Sequence, residues 1–293
     1  MRVLLLYNPF AGSGKASAAA ERLGLSLSRA GHEPVLKPTE AESSERWLDP
    51  ALDDIDAMVV LGGDGAMRLA SRAAADTGTP FYVFPFGTEN LFAREFGFDR
   101  SVPRLVEALS RFEVRHLDRA IAGSVPFMLM ASIGPDANAV RDLAAKRTGA
   151  ISHLSYIGPL LRQLFGWRAP ELSVSVDDRP VVRNRRGMVW VANSRQYALR
   201  FDPALSASMA DGKLDVVFFP CRTTWGALAW MIACRFRRQR MSSRVVYETG
   251  THVTVRSTPE HRYQVDGEDP GPTSPTRELS VTIHPATVPI LVP

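Results

Sequence analysis

Residues 61–65 read Leu61-Gly62-Gly63-Asp64-Gly65 and follow the apolar run Ala57-Met58-Val59-Val60. A strand that ends in two glycines, one carboxylate and a third glycine makes a turn with no side chains in the way. A phosphate can approach such a backbone closely, and Asp64 stands at the rim, where a metal or a hydroxyl would sit. A second apolar run, residues 3–7, leads into Asn8-Pro9-Phe10-Ala11-Gly12-Ser13-Gly14-Lys15 and then a helical pattern. That turn offers backbone N–H groups and a helix N-terminus to an anion. It is not a Walker A loop, which needs Gly where Pro9 stands and a hydroxyl where Ala16 stands. Nor is it a dinucleotide fingerprint, since Ser17 replaces the third glycine and Lys37 stands where an acidic residue is needed. A third run ends in Pro85-Phe86-Gly87-Thr88-Glu89-Asn90, which supplies close approach at Gly87, a hydroxyl at Thr88 and a donor-acceptor at Asn90. Each piece alone reads as a tight turn or a helix cap. Three of them on the same edge of one sheet point to an anionic ligand.

The second half carries two further pieces. Ala210-Asp211-Gly212-Lys213-Leu214-Asp215 sets an Asp-Gly turn before a strand, and by itself it is a hairpin turn. Val265-Asp266-Gly267-Glu268-Asp269 gathers three carboxylates around one glycine. It is a surface turn by default, and also a source of a general base or a magnesium-associated carboxylate.

The elements that must hold these residues divide the chain. Over residues 1–115 strands are expected at 2–7, 33–37, 57–61 and 81–84, and helices at 16–29, 40–48, 67–76, 88–96 and 102–110. This β-α alternation predicts an open parallel α/β sheet whose ligands bind at the carboxyl ends of its strands. From about residue 113 short strands dominate, at 113–120, 125–132, 171–177, 187–193, 213–219, 244–249, 252–256, 261–266, 279–284 and 288–292. Helical insertions are expected at about 136–166 and 222–239. That texture predicts an antiparallel β-sandwich or a distorted barrel. The expected boundaries are 1–120 for the α/β domain and 121–293 for the β-rich domain, with the last strand free to return to the first.

Composition is ordinary for a globular protein. The chain has 293 residues, 45% hydrophobic and 23% charged. The net charge of +4 favours anionic partners such as nucleotides or an anionic membrane surface. No zinc-finger spacing or recognition module argues for nucleic acid. Two cysteines, Cys221 and Cys234, make neither a disulfide framework nor a metal cluster, so a reducing cytoplasm is expected. The run at 3–7 is too short for a signal-peptide core, and no run is long enough to span a bilayer.

The ordered set of Asn8-Pro9 with Gly12-Ser13-Gly14, Gly62-Gly63-Asp64-Gly65, Pro85-Phe86-Gly87-Thr88-Glu89-Asn90, Ser132-Ile133-Gly134-Pro135-Asp136-Ala137, Asp211-Gly212-Lys213-Leu214-Asp215 and Asp266-Gly267-Glu268 resembles the diacylglycerol kinase catalytic-domain family. This family includes bacterial lipid kinases, sphingosine kinases and ceramide kinases. The resemblance spans nearly the whole chain. It implies an α/β nucleotide-binding domain, a C-terminal β-sandwich, and ATP in the cleft between them. It places the nucleotide on Asn8, Gly12, Gly62, Gly63, Asp64, Gly65, Thr39, Thr88 and Asn90. It implies a magnesium held by Asp211 with the backbones of Ser208 and Lys213. It makes Glu268 and Asp266 the candidate bases, with Asp64 as their rival. The chain departs from the family at Ala66, where a threonine is usual, and over Ala198-Leu199-Arg200-Phe201 after Asn193-Ser194-Arg195-Gln196-Tyr197.

A lipid acceptor needs apolar lodging and access to a membrane. Residues 154–167 carry Tyr156, Ile157, Leu160, Leu161, Leu164, Phe165 and Trp167. Residues 225–240 carry Trp225, Leu228, Trp230, Met231, Ile232 and Phe236, followed by Arg235, Arg237, Arg238 and Arg240. Trp and Phe beside a basic cluster suit peripheral contact with anionic lipid. The expected function is therefore an ATP- and magnesium-dependent lipid kinase acting on a hydroxyl such as that of diacylglycerol. Its rivals are an NAD kinase-like enzyme and a degenerate nucleotide- or lipid-binding protein. A homodimer is left open.

Overall fold

In the computed structural model, residues 1–40, 42–144 and 167–293 are described. The apolar segment 154–166 lies outside them. The chain forms two compact units, Met1–Leu117 with Ala286–Pro293, and Asp118–Pro285.

The first unit is built on strands buried on both faces. Strands β1 (Arg2–Tyr7), β2 (Glu33–Pro38), β3 (Ala57–Gly62) and β4 (Phe81–Pro85) are parallel in the order β2-β1-β3-β4. Every residue of β3 is buried, which is why 57–62 reads as an unbroken apolar run rather than an alternation. Helix α1 (Lys15–Arg29) buries Ala16, Ala20, Leu23 and Leu27 at helical spacing. Helix α2 is short (Ser44–Trp47), and helix α3 (Asp64–Thr77) buries Ala66, Met67, Ala70, Ala73 and Ala74. Helices α4 (Leu91–Phe96) and α5 (Val102–Arg111) complete the unit.

Two helices are shorter than their patterns predict. The expected helix at 40–48 is confined to 44–47, because Ser43 is non-helical at ψ 127° and Arg72 of α3 anchors the segment by donating to Ser44 Oγ and Asp49. The expected helix at 88–96 begins only at Leu91, because Asn90 sits in the left-handed region at φ 49°.

The second unit is antiparallel. Its strands are β5 (Val114–Ala122), which enters from the first unit, β6 (Val125–Phe127), β7 (Met130–Ile133), β8 (Glu171–Val176), β9 (Arg179–Ala192) and β10 (Leu214–Pro220). Strands β11 (Val246–Gly250), β12 (His252–His261), β13 (Gln264–Val265) and β14 (Thr276–Leu291) follow. Helix α6 (Pro135–Ala144) follows β7, and helix α7 (Thr224–Arg235) follows β10.

Strands β8 and β9 are joined by Asp177 and Asp178, both at positive φ, the conformation that a two-residue hairpin of matching twist demands. Strand β9 serves two pairings. Its first half lies on β8; its second half, 187–192, lies between β10 and β7. That half is buried on both faces. Val189 and Val191 enter the core shared with β8, β12 and β14, whereas Met188, Trp190 and Ala192 enter a second core that α7 covers. The unit is thus an antiparallel β-rich domain with helical insertions, joined in sequence to an α/β domain with parallel strands. Strand β14 contributes to both: 276–282 pair with β12, and Ile290 pairs in parallel with Phe81 of β4.

Candidate functional site

The carboxyl ends of the four parallel strands are tied together by backbone hydrogen bonds. Thr39 N, past β2, donates to Tyr7 O of β1 at 2.8 Å. Asn8 N, past β1, donates to Leu61 O of β3 at 3.2 Å, and Phe86 N, past β4, donates to Gly62 O at 2.8 Å. Thr39, Asn8, Gly62 and the 86–90 loop therefore lie along one edge of one unit. The sequence-predicted nucleotide residues come together there.

Each loop is also closed by its own side chains. Asn8 Oδ1 accepts from Phe10 N at 2.9 Å, and Asn8 O accepts from Ala11 N at 2.9 Å. Gly12 belongs to the short turn 11–14 that leads into α1. Asn90 folds back on Gly87, its Oδ1 accepting from Gly87 N and its Nδ2 donating to Gly87 O, both at 2.8 Å. Thr88 is exposed at the tip of that loop.

The glycines serve close approach of main chain to main chain. A Cβ on Gly87 would lie 2.4 Å from Gly63 Cα, and a Cβ on Gly63 would lie 2.9 Å from Gly87 Cα. A Cβ on Gly62 would lie 2.5 Å from the Ala66 methyl, so the buried Ala66 packs directly over the turn. Gly65 is exposed in the first turn of α3, where the leading N–H groups of a helix have no partner within it. Those groups and the helix dipole favour an anion.

Asp64 opens α3 and has a structural duty as well. Its Oδ1 accepts from Phe92 N at 3.1 Å, so it caps α4, whose own N-cap residue Asn90 makes no side-chain cap. The residue keeps part of its surface in solvent, but its carboxyl is enclosed beside Leu91 and Phe92. Burial pushes that carboxyl above the usual carboxylate range, aided by the nearby Glu89 charge and opposed by the two N–H groups and Arg94.

In the second unit, Asp266 is committed to the backbone. Its Oδ2 accepts from Met128 N at 2.8 Å, and its Oδ1 accepts from Leu129 N at 2.8 Å and Met130 N at 2.9 Å. This is why the expected strand 125–132 is broken into β6 and β7: the N–H groups at the break turn to a carboxylate instead of a neighbouring strand. Asn193 holds the same segment from the other side, donating through Nδ2 to Met128 O at 2.8 Å and Asp118 O at 3.0 Å. Glu268 closes the turn through its backbone, which exchanges hydrogen bonds with Val265, and its side chain is half-buried.

A buried polar network reaches the same turn. Gly267 N donates to Gln264 Oε1 at 2.7 Å, and Gln264 Nε2 donates to Ser132 Oγ at 2.7 Å. Ser132 Oγ and Tyr197 Oη in turn donate to Asp136 Oδ2. Burial raises both the Asp136 carboxyl and the Tyr197 phenol, the latter well above its ordinary value. The roles of Gln264 and Tyr197 carry no local sequence signal.

The 208–215 turn is acidic. Asp211 is exposed and its Oδ1 accepts from Lys213 N at 3.1 Å. Gly212, at φ +69°, is held by Asp118 Oδ2 at 2.7 Å, and Asp118 N donates to Met209 O at 2.7 Å. Asp118 is buried and was visible in sequence only as a charge inside a strand. Asp215, raised chiefly by burial and further by the Asp211 charge, accepts from Ser206 Oγ. Among the described residues no three His, Cys, Asp or Glu side chains gather as a metal centre. An ion at this turn would rest on the Asp211 carboxylate and on peptide carbonyls such as those of Ser208 and Lys213. That all-oxygen set suits magnesium and fits poorly with zinc.

The comparisons agree across the chain. A family model described as "Diacylglycerol kinase catalytic domain" matches residues 2–121, and one described as "YegS C-terminal NAD kinase beta sandwich-like domain" matches residues 130–292. The chain is 34% identical over 223 residues to a "Diacylglycerol kinase" of Mycobacterium tuberculosis, covering 73% of this chain and 72% of that one. An uncharacterized protein of Synechocystis is 22% identical over 99% of this chain and 70% of its own length. A diacylglycerol kinase crystal structure from Bacillus anthracis superposes with a TM-score of 0.72 at 16% identity, covering 100% of this chain and 97% of that one, which speaks for the fold alone. The chain accordingly belongs to the diacylglycerol kinase family, with a kinase catalytic domain followed by a β-sandwich domain of the YegS type.

Proposed function

We propose that the protein is an ATP-dependent lipid kinase that transfers the γ-phosphoryl group to a lipid hydroxyl, with diacylglycerol as the first acceptor to test. The observation that carries the reading is the edge of the first unit. Four parallel strand ends converge there, their loops lock through the Gly63–Gly87 contact, and the N-terminus of a 14-residue helix opens between them. Such an edge suits a polyphosphate held by main-chain donors.

Phosphoryl transfer asks for positioning, charge neutralisation and a proton acceptor. In this reading Asn8, Gly12, Thr39, Gly62, Gly63, Gly65, Thr88 and Asn90 line the nucleotide site. Asp64 and the α3 N-terminus fix the phosphate end. Asp211, with the backbones of Ser208 and Lys213, would hold a structural magnesium ion, whose chemistry is to neutralise the carboxylates of the turn and order the loop. The acceptor oxygen attacks the γ-phosphorus, the bond to the β-phosphate oxygen breaks, ADP leaves, and the hydroxyl proton passes to a carboxylate. Glu268 is assigned that proton. Asp266, whose two oxygens already accept three N–H groups, is given the task of shaping the turn. Asp64 stays the rival base because its raised carboxyl suits proton uptake.

The test is incubation with labelled ATP, magnesium and diacylglycerol in mixed micelles. Labelled phosphatidic acid is expected, and Glu268→Gln is expected to lower turnover by at least about a hundredfold with ATP affinity unchanged. ATP binding without labelled lipid from any lipid extract would replace the kinase reading with a binding protein. Label on NAD would replace it with an NAD kinase.

A further inference from the structure

Helix α7 is apolar on both sides. Between Thr224 and Arg235 its sequence is Trp-Gly-Ala-Leu-Ala-Trp-Met-Ile-Ala-Cys, with no polar residue. One stripe, Ala227, Trp230, Met231 and Cys234, packs into the core over β9 and β10, where Trp230 Nε1 also donates to Pro220 O at 2.8 Å. The other stripe follows at positions 225, 229, 232 and 236, again one face of a helix. It is open: Trp225 is 69% exposed, Ile232 49% and Phe236 67%, and Met241 just beyond is 82% exposed. A helix that meets water normally turns charged residues outward, and one apolar all round has both faces covered. Among the described residues these are four of the ten large hydrophobic side chains that are exposed, and they are concentrated within 17 residues.

Along the sequence this face is flanked by charge of one sign. Between Asp215 and Glu248 the chain carries Arg222, Arg235, Arg237, Arg238, Arg240 and Arg244 and no acidic residue. Beside the start of the helix, Arg222 joins Arg185 and Arg186 around an open cavity of about 440 Å³, which Glu171 and Asn184 also line. Twelve residues span about 18 Å, well short of the hydrocarbon thickness of a bilayer, so the helix cannot cross one. An aromatic stripe with an arginine cluster at its end is the composition of a helix lying in the plane of a bilayer surface.

We infer that the exposed face of α7, with Trp225, Ile232, Phe236 and Met241 inserted and the arginines on headgroup phosphates, docks this protein on an anionic bilayer. The inference rests on the lipid-kinase reading for its purpose and is measured without it. The cluster supplies long-range attraction, and the stripe supplies the apolar burial that holds the contact at high salt.

The experiment is vesicle flotation of the full chain. Phosphatidylcholine vesicles are compared with phosphatidylcholine–phosphatidylglycerol vesicles, at low and high salt. The wild type should float with the anionic vesicles only. Trp225→Ser with Phe236→Ser should lower the bound fraction about tenfold or more at either salt. Arg237→Gln with Arg238→Gln, and separately Arg186→Gln with Arg222→Gln, should weaken binding and flatten its salt dependence. All replaced side chains are exposed, so unchanged thermal unfolding is the control. Equal flotation of the variants, or equal binding to neutral vesicles, overturns the inference. So does a wild-type dimer that the Trp225→Ser, Phe236→Ser variant turns into a monomer without loss of flotation, which would make the face a self-association surface. Phosphoryl transfer to a short-chain diacylglycerol dissolved as monomers separates the two readings. Intact transfer with lost flotation leaves the kinase standing, and flotation without any transfer leaves the docking surface standing.

Discussion

Gly87→Ala adds one methyl group at the tightest point of the candidate nucleotide edge. Its Cβ would stand 2.4 Å from Gly63 Cα and 2.8 Å from Asn90 Oδ1. The first neighbour is backbone and cannot rotate away, so the two loops must part by about 1 Å to restore ordinary contact. Overpacking of this kind costs about 1–3 kcal/mol. Displacing Asn90 also loosens its two hydrogen bonds to Gly87, at about 1 kcal/mol each. The sum is roughly 3–5 kcal/mol, which for a unit of this size lowers Tm by about 10–15 °C. Gly24→Ala is the matched control. Gly24 lies inside α1, and its Cβ would meet Leu36, Leu5 and Pro34 side chains at 3.4–3.8 Å, ordinary contact. There the same methyl should add about 0.5–1 kcal/mol, because alanine loses less backbone entropy than glycine on entering a helix. The assay is calorimetric unfolding of both variants, with ATP titration at a temperature where both are folded. Opposite signs are expected, and ATP affinity should fall only in Gly87→Ala. If that variant keeps wild-type Tm and ATP affinity, the loops are not locked by this contact and the reasoning fails.

Two further predictions concern the second unit. Asp266→Ala leaves three buried N–H groups at Met128, Leu129 and Met130 without their acceptor, at roughly 3–6 kcal/mol in all; urea denaturation checks it, and a loss under about 0.5 kcal/mol refutes the assignment. Asp266→Asn, which keeps an acceptor at Oδ1, should cost less. His261 is neutral in the fold, since burial lowers its pKa and Trp167 Nε1 donates to its Nε2 at 3.4 Å. The unfolded chain therefore takes up this proton first, so its contribution is complete above the ordinary histidine value of about 6.5 and is lost as pH falls from there through the lowered value of the folded state. Urea midpoints from about pH 7.5 down to about pH 5 should decline more steeply in the wild type than in His261→Asn, and parallel curves would dismiss this source.

Much of the first unit was legible because its signals are local. Unbroken apolar runs marked strands buried on both faces, and the glycine turns marked their carboxyl ends. Less was legible where a side chain acts on distant backbone. Asp64 and Asn90 carry chemistry-bearing groups, yet one caps α4 and the other closes its own loop. The expected helix through 88–90 fails for the same reason, since Asn90 is spent on Gly87. The apolar run 125–132 reads as one strand because nothing nearby announces the carboxylate of Asp266 that breaks it. The Asp177-Asp178 turn is a signal of the local kind, since its geometry depends on two adjacent residues. The two faces of α7 were not separable, because both are apolar and only packing says which is covered.

By itself the sequence determined the two classes of architecture, the family, and the set of turns able to face a phosphate. The architecture and the turns follow from periods of two and 3.6 residues and from what glycine, proline and aspartate do to the chain beside them, and the family from the resemblance of the ordered motifs. The tertiary structure decided what each polar residue is bonded to. Asp266 meets the backbone of residues 128–130, Asp118 meets Gly212, and Gly63 meets Gly87. Such pairings are set by which strands lie side by side. A carboxylate near a buried N–H must satisfy it wherever it lies in the chain, because an unpaired buried donor costs more than any local preference supplies.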